Sequence, residues 1–221
     1  MSIIDFNCIN NIKADCILNF GAECRISMAL KRQELRYFSS PFDWVRNYDL
    51  DVVIKLLRNK GDKFFADCYE HETLKNKYKR IIIDRATGMM SVHDYPIELS
   101  MDNAPEFYKA KFTKRFKRLH QELLLAKQPC FILYGIKDIE IIENFISQIK
   151  MLYNFSYIYI VNAVDDNQEY CEYTKLTDAD VYSFYFNDEH ENGRDRNLNP
   201  DYWLGNIAYW DKILSKLSLN K

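Results

Sequence analysis

Hydrophobic and polar positions along the chain change period several times, and each change marks an element. Across residues 15–20 an apolar run (Cys16, Ile17, Leu18, Phe20) ends at Gly21. Beyond it, Cys24, Ile26, Met28, Ala29 and Leu30 lead into Lys31 and Arg32. This pattern predicts a strand, a tight turn and a helix. Asp49-Leu50-Asp51 opens a second helix, in which Leu50, Val53, Ile54 and Leu57 recur at three- and four-residue spacing until Gly61 stops it. Ile81-Ile82-Ile83, the turn sequence Asp84-Arg85-Ala86-Thr87-Gly88 and the stretch 89–95 predict a β-hairpin. Strict alternation along its second strand places Met89, Ser91 and His93 on one face and Met90 and Val92 on the other.

Asn103-Ala104-Pro105-Glu106 supplies a cap, an early proline and an early acid for a helix running to about Ala126. After Pro129, the apolar run 130–134, the periodic stretch 138–152 and the β-rich stretch 157–164 predict a βαβ crossover, which requires parallel neighbours in a helix-covered sheet. Residues 182–186 read as a short strand and 188–199 as a polar acidic loop. Residues 200–217 read as a terminal helix packed through Trp203 and Trp210. With no repeat and no linker-like segment, the expectation is a single α/β domain over residues 1–221. It is three-layer-like, with a mixed, partly parallel sheet flanked by helices and Cys24 at the N-terminus of the first helix.

Composition narrows the function classes. Thirty Lys and Arg against 32 Asp and Glu leave a net charge of −2, so no global basic field directs the chain to nucleic acid, and no nucleic-acid partner is expected. The six cysteines form no CxxC pair and the four histidines lack zinc-site spacing, so no metal is expected. No secretory leader and no long uncharged apolar run is present, which predicts a cytoplasmic, reducing setting, no membrane span and six reduced thiols.

Candidate chemistry gathers at Cys24. A thiol at a strand-to-helix junction meets free backbone N–H groups and the positive end of the helix dipole, which favour its ionised form. The N–H groups near Arg25 would also receive an oxyanion. The competing reading is a small core residue. His93, at a strand end, is the best-placed base, and Asp43 and Asp94 are equally admissible as the carboxylate that orients it. In the connector 35–44, Ser40, Phe42 and Trp44 either line a binding cleft or plug the core. Lys111, Lys114, Arg115 and Arg118 share one helical face, which is either solvated or able to hold anionic groups.

The segment Phe20-Gly21-Ala22-Glu23-Cys24-Arg25-Ile26-Ser27-Met28-Ala29-Leu30-Lys31-Arg32, followed by Ser40-Pro41-Phe42-Asp43-Trp44 and by Val92-His93-Asp94-Tyr95, resembles a mostly bacterial family labelled "putative papain-like cysteine peptidase". That family's pattern is Gly-x-x-Cys, a helix ending near Leu-Lys, a Ser-x-Pro-Phe-Asp-Trp turn and a downstream His-Asp pair. Two departures are Ser39-Ser40-Pro41, where an aromatic often separates Ser from Pro, and Phe20 in place of Leu. The resemblance implies a hydrolase in which Cys24 forms an acyl-thioester and His93 is the base, acting on a peptide or small acylated substrate without a cofactor. Gly21, Arg25, Ser40, Phe42, Trp44, Arg115 and Arg118 are the expected substrate-side residues. The papain label implies a nucleophile helix on an antiparallel sheet, which conflicts with the parallel sheet read from the βαβ pattern.

The opening also resembles the nucleophile block of SGNH-type esterases with Cys for Ser, and cysteine blocks of enzymes that acylate surface polysaccharides. One alternative is therefore an acyltransferase that uses the same Cys-His pair, with coenzyme A as acyl donor and a glycan acceptor. Another is a catalytically silent binding protein. No oligomeric state follows from the sequence.

Overall fold

The computed structural model describes residues 7–73, 79–195 and 197–220. In chain order the first half carries β1 (Ile12–Ala14), β2 (Ile17–Asn19), α1 (Cys24–Arg32), β3 (Val45–Arg46), α2 (Leu50–Arg58), β4 (Cys68–Glu70), β5 (Lys79–Asp84) and β6 (Met90–Pro96). The second half carries α3 (Ala104–Leu125), β7 (Cys130–Tyr134), α4 (Ile139–Leu152), β8 (Ile158–Asp165), β9 (Tyr170–Lys175), β10 (Ala179–Phe186), α5 (Ile207–Leu214) and β11 (Leu217–Leu219).

The main sheet has the order β2-β7-β8-β10-β9, with the first four strands parallel and β9 antiparallel at the edge. Alternate side chains of each strand go to opposite layers. Phe131, Leu133, Ile158, Ile160 and Val181 join the core shared with α2, α3 and α4. Ile132, Val161, Ala163, Phe184 and Phe186 join the core shared with α1 and α5. Burial on both faces explains why β7, β8 and β10 read as nearly continuous apolar runs. The fold class expected from the sequence is therefore what the chain adopts: a mixed, partly parallel sheet flanked by helices. The antiparallel sheet implied by the papain label is not the sheet that carries α1.

An antiparallel sheet of order β3-β6-β5-β4 contains the predicted hairpin. Its register is irregular in a way that matters. Ile82 pairs with Ser91, whereas Arg80 pairs with Tyr95, so β6 spends two extra residues between these pairs. The strict alternation expected along β6 fails here: Ser91 and Tyr95 are buried while His93, of the same parity, is exposed. A bulge bends its strand and re-aims a side chain, and His93 sits within it.

The helix expected over residues 200–217 is divided into a single 3-10 turn (Tyr202–Leu204), α5 and β11, which pairs in parallel with β1. Gly205 causes the break. It adopts φ 66° and ψ −157°, a region open essentially to glycine, and a Cβ there would lie 2.3 Å from the Asp188 carboxylate. Asn206 then caps α5 by accepting from the Tyr209 N–H. The loop 188–199 is less solvated than its polarity predicts, since Asp188, His190 and Asn199 are buried. The strand expected at 182–186 starts earlier, at Ala179. Nor do all six thiols stay free: Cys8 and Cys171, distant in sequence, are brought together as a disulfide with Cα atoms 6.1 Å apart. Cys16, Cys24 and Cys130 are free and buried, and Cys68 is half-buried.

Candidate active site

A chain of buried polar side chains fixes the start of α1. The Gly21 N–H donates to Asn19 Oδ1 (2.8 Å), Asn19 Nδ2 donates to Ser27 Oγ (3.0 Å), and Ser27 Oγ donates to Asp43 Oδ1 (3.2 Å). Asp43 Oδ2 also accepts from Arg36 Nε (2.8 Å), Arg36 Nη2 (2.7 Å) and the Ser40 N–H (2.8 Å). Strand β2, helix α1 and the turn 40–44 are thereby locked to one another. No side chain fits at position 21, where a Cβ would lie 2.5 Å from Ile26 and 2.9 Å from Tyr134.

Cys24 is the first residue of α1 and is 4% exposed. Burial pushes its thiol up to about 12, Glu23 and Asp94 add to the rise, and Arg46 and Arg25 oppose it. The expectation of a readily ionised thiol does not hold against this burial: desolvation of the thiolate outweighs both guanidinium groups. The resting thiol is neutral. Beside it, the Tyr48 hydroxyl donates to the Gly21 carbonyl (2.9 Å), and Arg46 Nη2 pairs with Glu23 Oε1 (2.9 Å). An open cavity of about 450 Å³ lies against this helix start, with Ala22, Glu23, Arg46, Tyr48 and Met90 in its wall.

His93 reaches the same neighbourhood from the second sheet. Its ring packs against the Trp44 ring (centroids 5.6 Å apart) and the Trp203 ring (5.9 Å). Though the residue as a whole is exposed, partial desolvation of the ring lowers its pKa, Arg46 lowers it further and Asp94 opposes. Asp94 and Arg46 are therefore charges felt by both Cys24 and His93. No hydrogen bond joins the Cys24 sulfur to His93 among the described residues. Asp94 accepts from Ser91 Oγ (3.2 Å) and forms an ion pair with Lys111. The arrangement offers a neutral thiol, an imidazole in the field of the same two charges, and a carboxylate adjoining the imidazole in sequence.

The other residues singled out from the sequence fall into distinct places. Phe42 is fully buried in an aromatic cluster with Phe20 (5.3 Å), Tyr48 (5.9 Å) and Phe116 (5.9 Å). Ser40 shapes its turn, with its Oγ accepting from the Phe42 N–H (3.3 Å). The Arg25 side chain is committed to Asp188, with Nη1 2.8 Å from Oδ2, leaving its backbone N–H at the helix start. Arg115 donates to the Ser40 carbonyl (3.5 Å), and Arg118 covers the Phe38 ring (5.0 Å) while pairing with Glu122 (3.9 Å). The basic face of α3 is consequently split. Lys111 and Arg115 are half-buried towards Asp94 and Ser40, whereas Lys114 and Arg118 are exposed.

Several residues here were not assigned to the site from the sequence: Arg46, Glu23, Tyr48, Asp188 and Trp203, the last read only as a packing residue. Their proximity is tertiary, and only the Trp44-Val45-Arg46 run, which continues the recognised turn, carried a local signal.

The family described as "Putative papain-like cysteine peptidase (DUF1796)" matches residues 15–157, which include α1, the turn 40–44, His93 and Asp94. An uncharacterized protein of Acanthamoeba polyphaga mimivirus is 21% identical over 133 residues, or 52% of this chain and 59% of its own length. The chain thus spans less than two thirds of that viral relative. No solved structure matches it.

Proposed function

The chain belongs to the "Putative papain-like cysteine peptidase" family, and from that premise we propose that it is a thiol hydrolase that cleaves peptide bonds through an acyl-thioester at Cys24. The observation that carries the reading is the meeting of two sheets: α1 presents Cys24 at its first turn, and the bulge of β6 presents His93, both in the field of Asp94 and Arg46.

The chemistry starts from neutral partners. As Cys24 Sγ bonds to the substrate carbonyl carbon, its proton passes to the His93 imidazole. The N–H groups opening α1 receive the developing oxyanion. The imidazolium then protonates the departing amine as the carbon–nitrogen bond breaks. Water, deprotonated by the same imidazole, hydrolyses the thioester and returns the thiol. The neutral His93 held by its indole neighbours suits this role, because a base must be unprotonated at the operating pH. Sulfur and imidazole approach on substrate binding, a tightening common between unliganded and liganded sites.

Asp94 adjoins His93 and is assigned as its orienting carboxylate. Asp43 is not, because it is tied into the turn by Arg36, Ser40 and Ser27, whereas Asp94 is the carboxylate whose charge acts on His93. Trp44 positions the imidazole, and Arg115 supports the turn through the Ser40 carbonyl.

A fluorogenic peptide library tests the reading. Turnover in the wild type is expected to vanish in Cys24→Ala and to fall at least about 100-fold in His93→Asn, the lower end of general-base contributions. Turnover surviving in a folded Cys24→Ala protein overturns it.

A further inference from the structure

A cavity of about 690 Å³ lies away from Cys24. It lies between the loop that follows α2 and the outer face of α3, and it shares no lining residue with the cavity beside Cys24. Its volume is that of a small-molecule site. Buried Phe64 and Phe112, with ring centroids 4.6 Å apart, contribute an aromatic floor. Exposed Lys60, Lys63, Lys109 and Lys117 ring the opening. Asp62 and Glu106 are the acidic lining residues, and Glu106 pairs with Lys109 (3.7 Å). Lys60, Lys63 and Lys117 have no ion pair among the described residues, so the opening carries an excess of positive charge.

Two further observations point to a ligand. His120 lines the cavity, and its Nδ1 engages the Tyr153 hydroxyl. With that hydroxyl donating, Nε2 carries the ring proton, and Nε2 is buried without a hydrogen-bond partner. Buried donors are nearly always satisfied, so one left over on a residue that lines a cavity calls for an acceptor. The loop itself is held in a conformation that side chains resist. Lys60, Lys63 and Phe65 have φ of 58°, 60° and 57°, beside Gly61 at 72°. Three non-glycine left-handed residues so close together are the kind of stored strain that clusters at ligand clamps. The loop has little freedom to relax, because Gly61 is pressed on the Phe116 ring, 2.1 Å from where a Cβ would stand.

We infer that this cavity is a second binding site, separate from the Cys24 site, for a planar aromatic anion: a ring on the Phe64–Phe112 floor with a phosphate or carboxylate held by the lysines and by His120 Nε2–H. The aromatic body accounts for the floor, and the anionic group for both the cationic rim and the buried donor.

Phenyl phosphate is the probe, titrated into the full-length protein by calorimetry and by NMR of the histidine rings. Expected are saturable one-site binding, a shift of the His120 ring signals, and phenol or inorganic phosphate each binding at least about tenfold more weakly. Reversing two exposed charges in Lys63→Glu/Lys117→Glu should weaken binding at least about tenfold. Thr113→Trp, which fills the cavity from the exposed face of α3, should abolish binding while circular dichroism stays native. Cys24→Ala should bind as the wild type does, because the two sites share no wall. Non-saturable titration, retention of binding in both lining variants, or shifts centred on His93 overturn the assignment. Inorganic phosphate binding as tightly as phenyl phosphate overturns its aromatic part.

Discussion

Replacing Asp43 by Ala removes the carboxylate on which the start of α1 and the turn 40–44 converge. Its side chain is 3% exposed and that of its partner Arg36 17%, so solvent screens this pair little. Four donors lose this acceptor, Arg36 Nε, Arg36 Nη2, the Ser40 N–H and Ser27 Oγ, and of these Arg36 Nη2 keeps Ser39 Oγ. Breaking a buried ion pair from one side costs about 3–5 kcal/mol, because the remaining charge stays buried and uncompensated. At about 2–4 °C per kcal/mol for a chain of this size, the midpoint should fall by roughly 6–20 °C. Urea denaturation followed by tryptophan fluorescence and calorimetric melting measures both quantities. Asp43→Asn, which keeps an acceptor for the Ser40 N–H, should fall between wild type and Asp43→Ala. A loss below about 1 kcal/mol in Asp43→Ala would refute the reasoning, since such values are typical of exposed pairs. If Asp43→Asn is as stable as wild type but slows catalysis, Asp43 is an orienting group and the assignment to Asp94 fails.

Other outcomes follow from the same structure. With its pKa at about 12, Cys24 in the unliganded protein should alkylate slowly with iodoacetamide, at a rate rising about tenfold per pH unit to beyond pH 10; a plateau by pH 8 contradicts a buried neutral thiol. Gly205→Ala forces a side chain into a glycine-only backbone region and against Asp188 and Arg25, and equilibrium unfolding should show a loss of about 2–4 kcal/mol. His93 and His120 both have lowered pKa values. Below an unfolded pKa of about 6.5 the unfolded chain therefore binds more protons, and stability falls with pH through the folded values. Melting temperatures from pH 7.5 to 5 should drop less steeply in His93→Gln/His120→Gln, and identical slopes refute the linkage.

What the sequence made legible was whatever local physics decides. Capping and periodicity placed α2, with Asp49 accepting from the Val52 N–H; the early proline and periodicity placed α3, which ends one residue before Ala126, although Asn103 makes no side-chain cap there. The crossover 130–164 gave the parallel sheet because a double-sided core needs continuous apolar strands. The terminal segment was misjudged because one glycine, with a backbone only it can adopt, divides an otherwise helical pattern. At the site, spacing singled out Cys24 and His93 but gave the wrong protonation of the thiol. Desolvation depends on how tightly the rest of the fold closes over the thiol, and no local pattern encodes that closure. The same limit left Asp43 and Asp94 unranked. It also left unforeseen the bulge that turns His93 away from the face shared by Ser91 and Tyr95.

Mass spectrometry of the intact and digested protein after exposure to a peptidyl vinyl sulfone addresses the central claim most directly. The account predicts a single adduct on Cys24, absent in Cys24→Ala and formed at least about tenfold more slowly near neutral pH in His93→Asn. Adducts spread evenly over Cys16, Cys24, Cys68 and Cys130, or formed on Cys24 at an unchanged rate without His93, would contradict it.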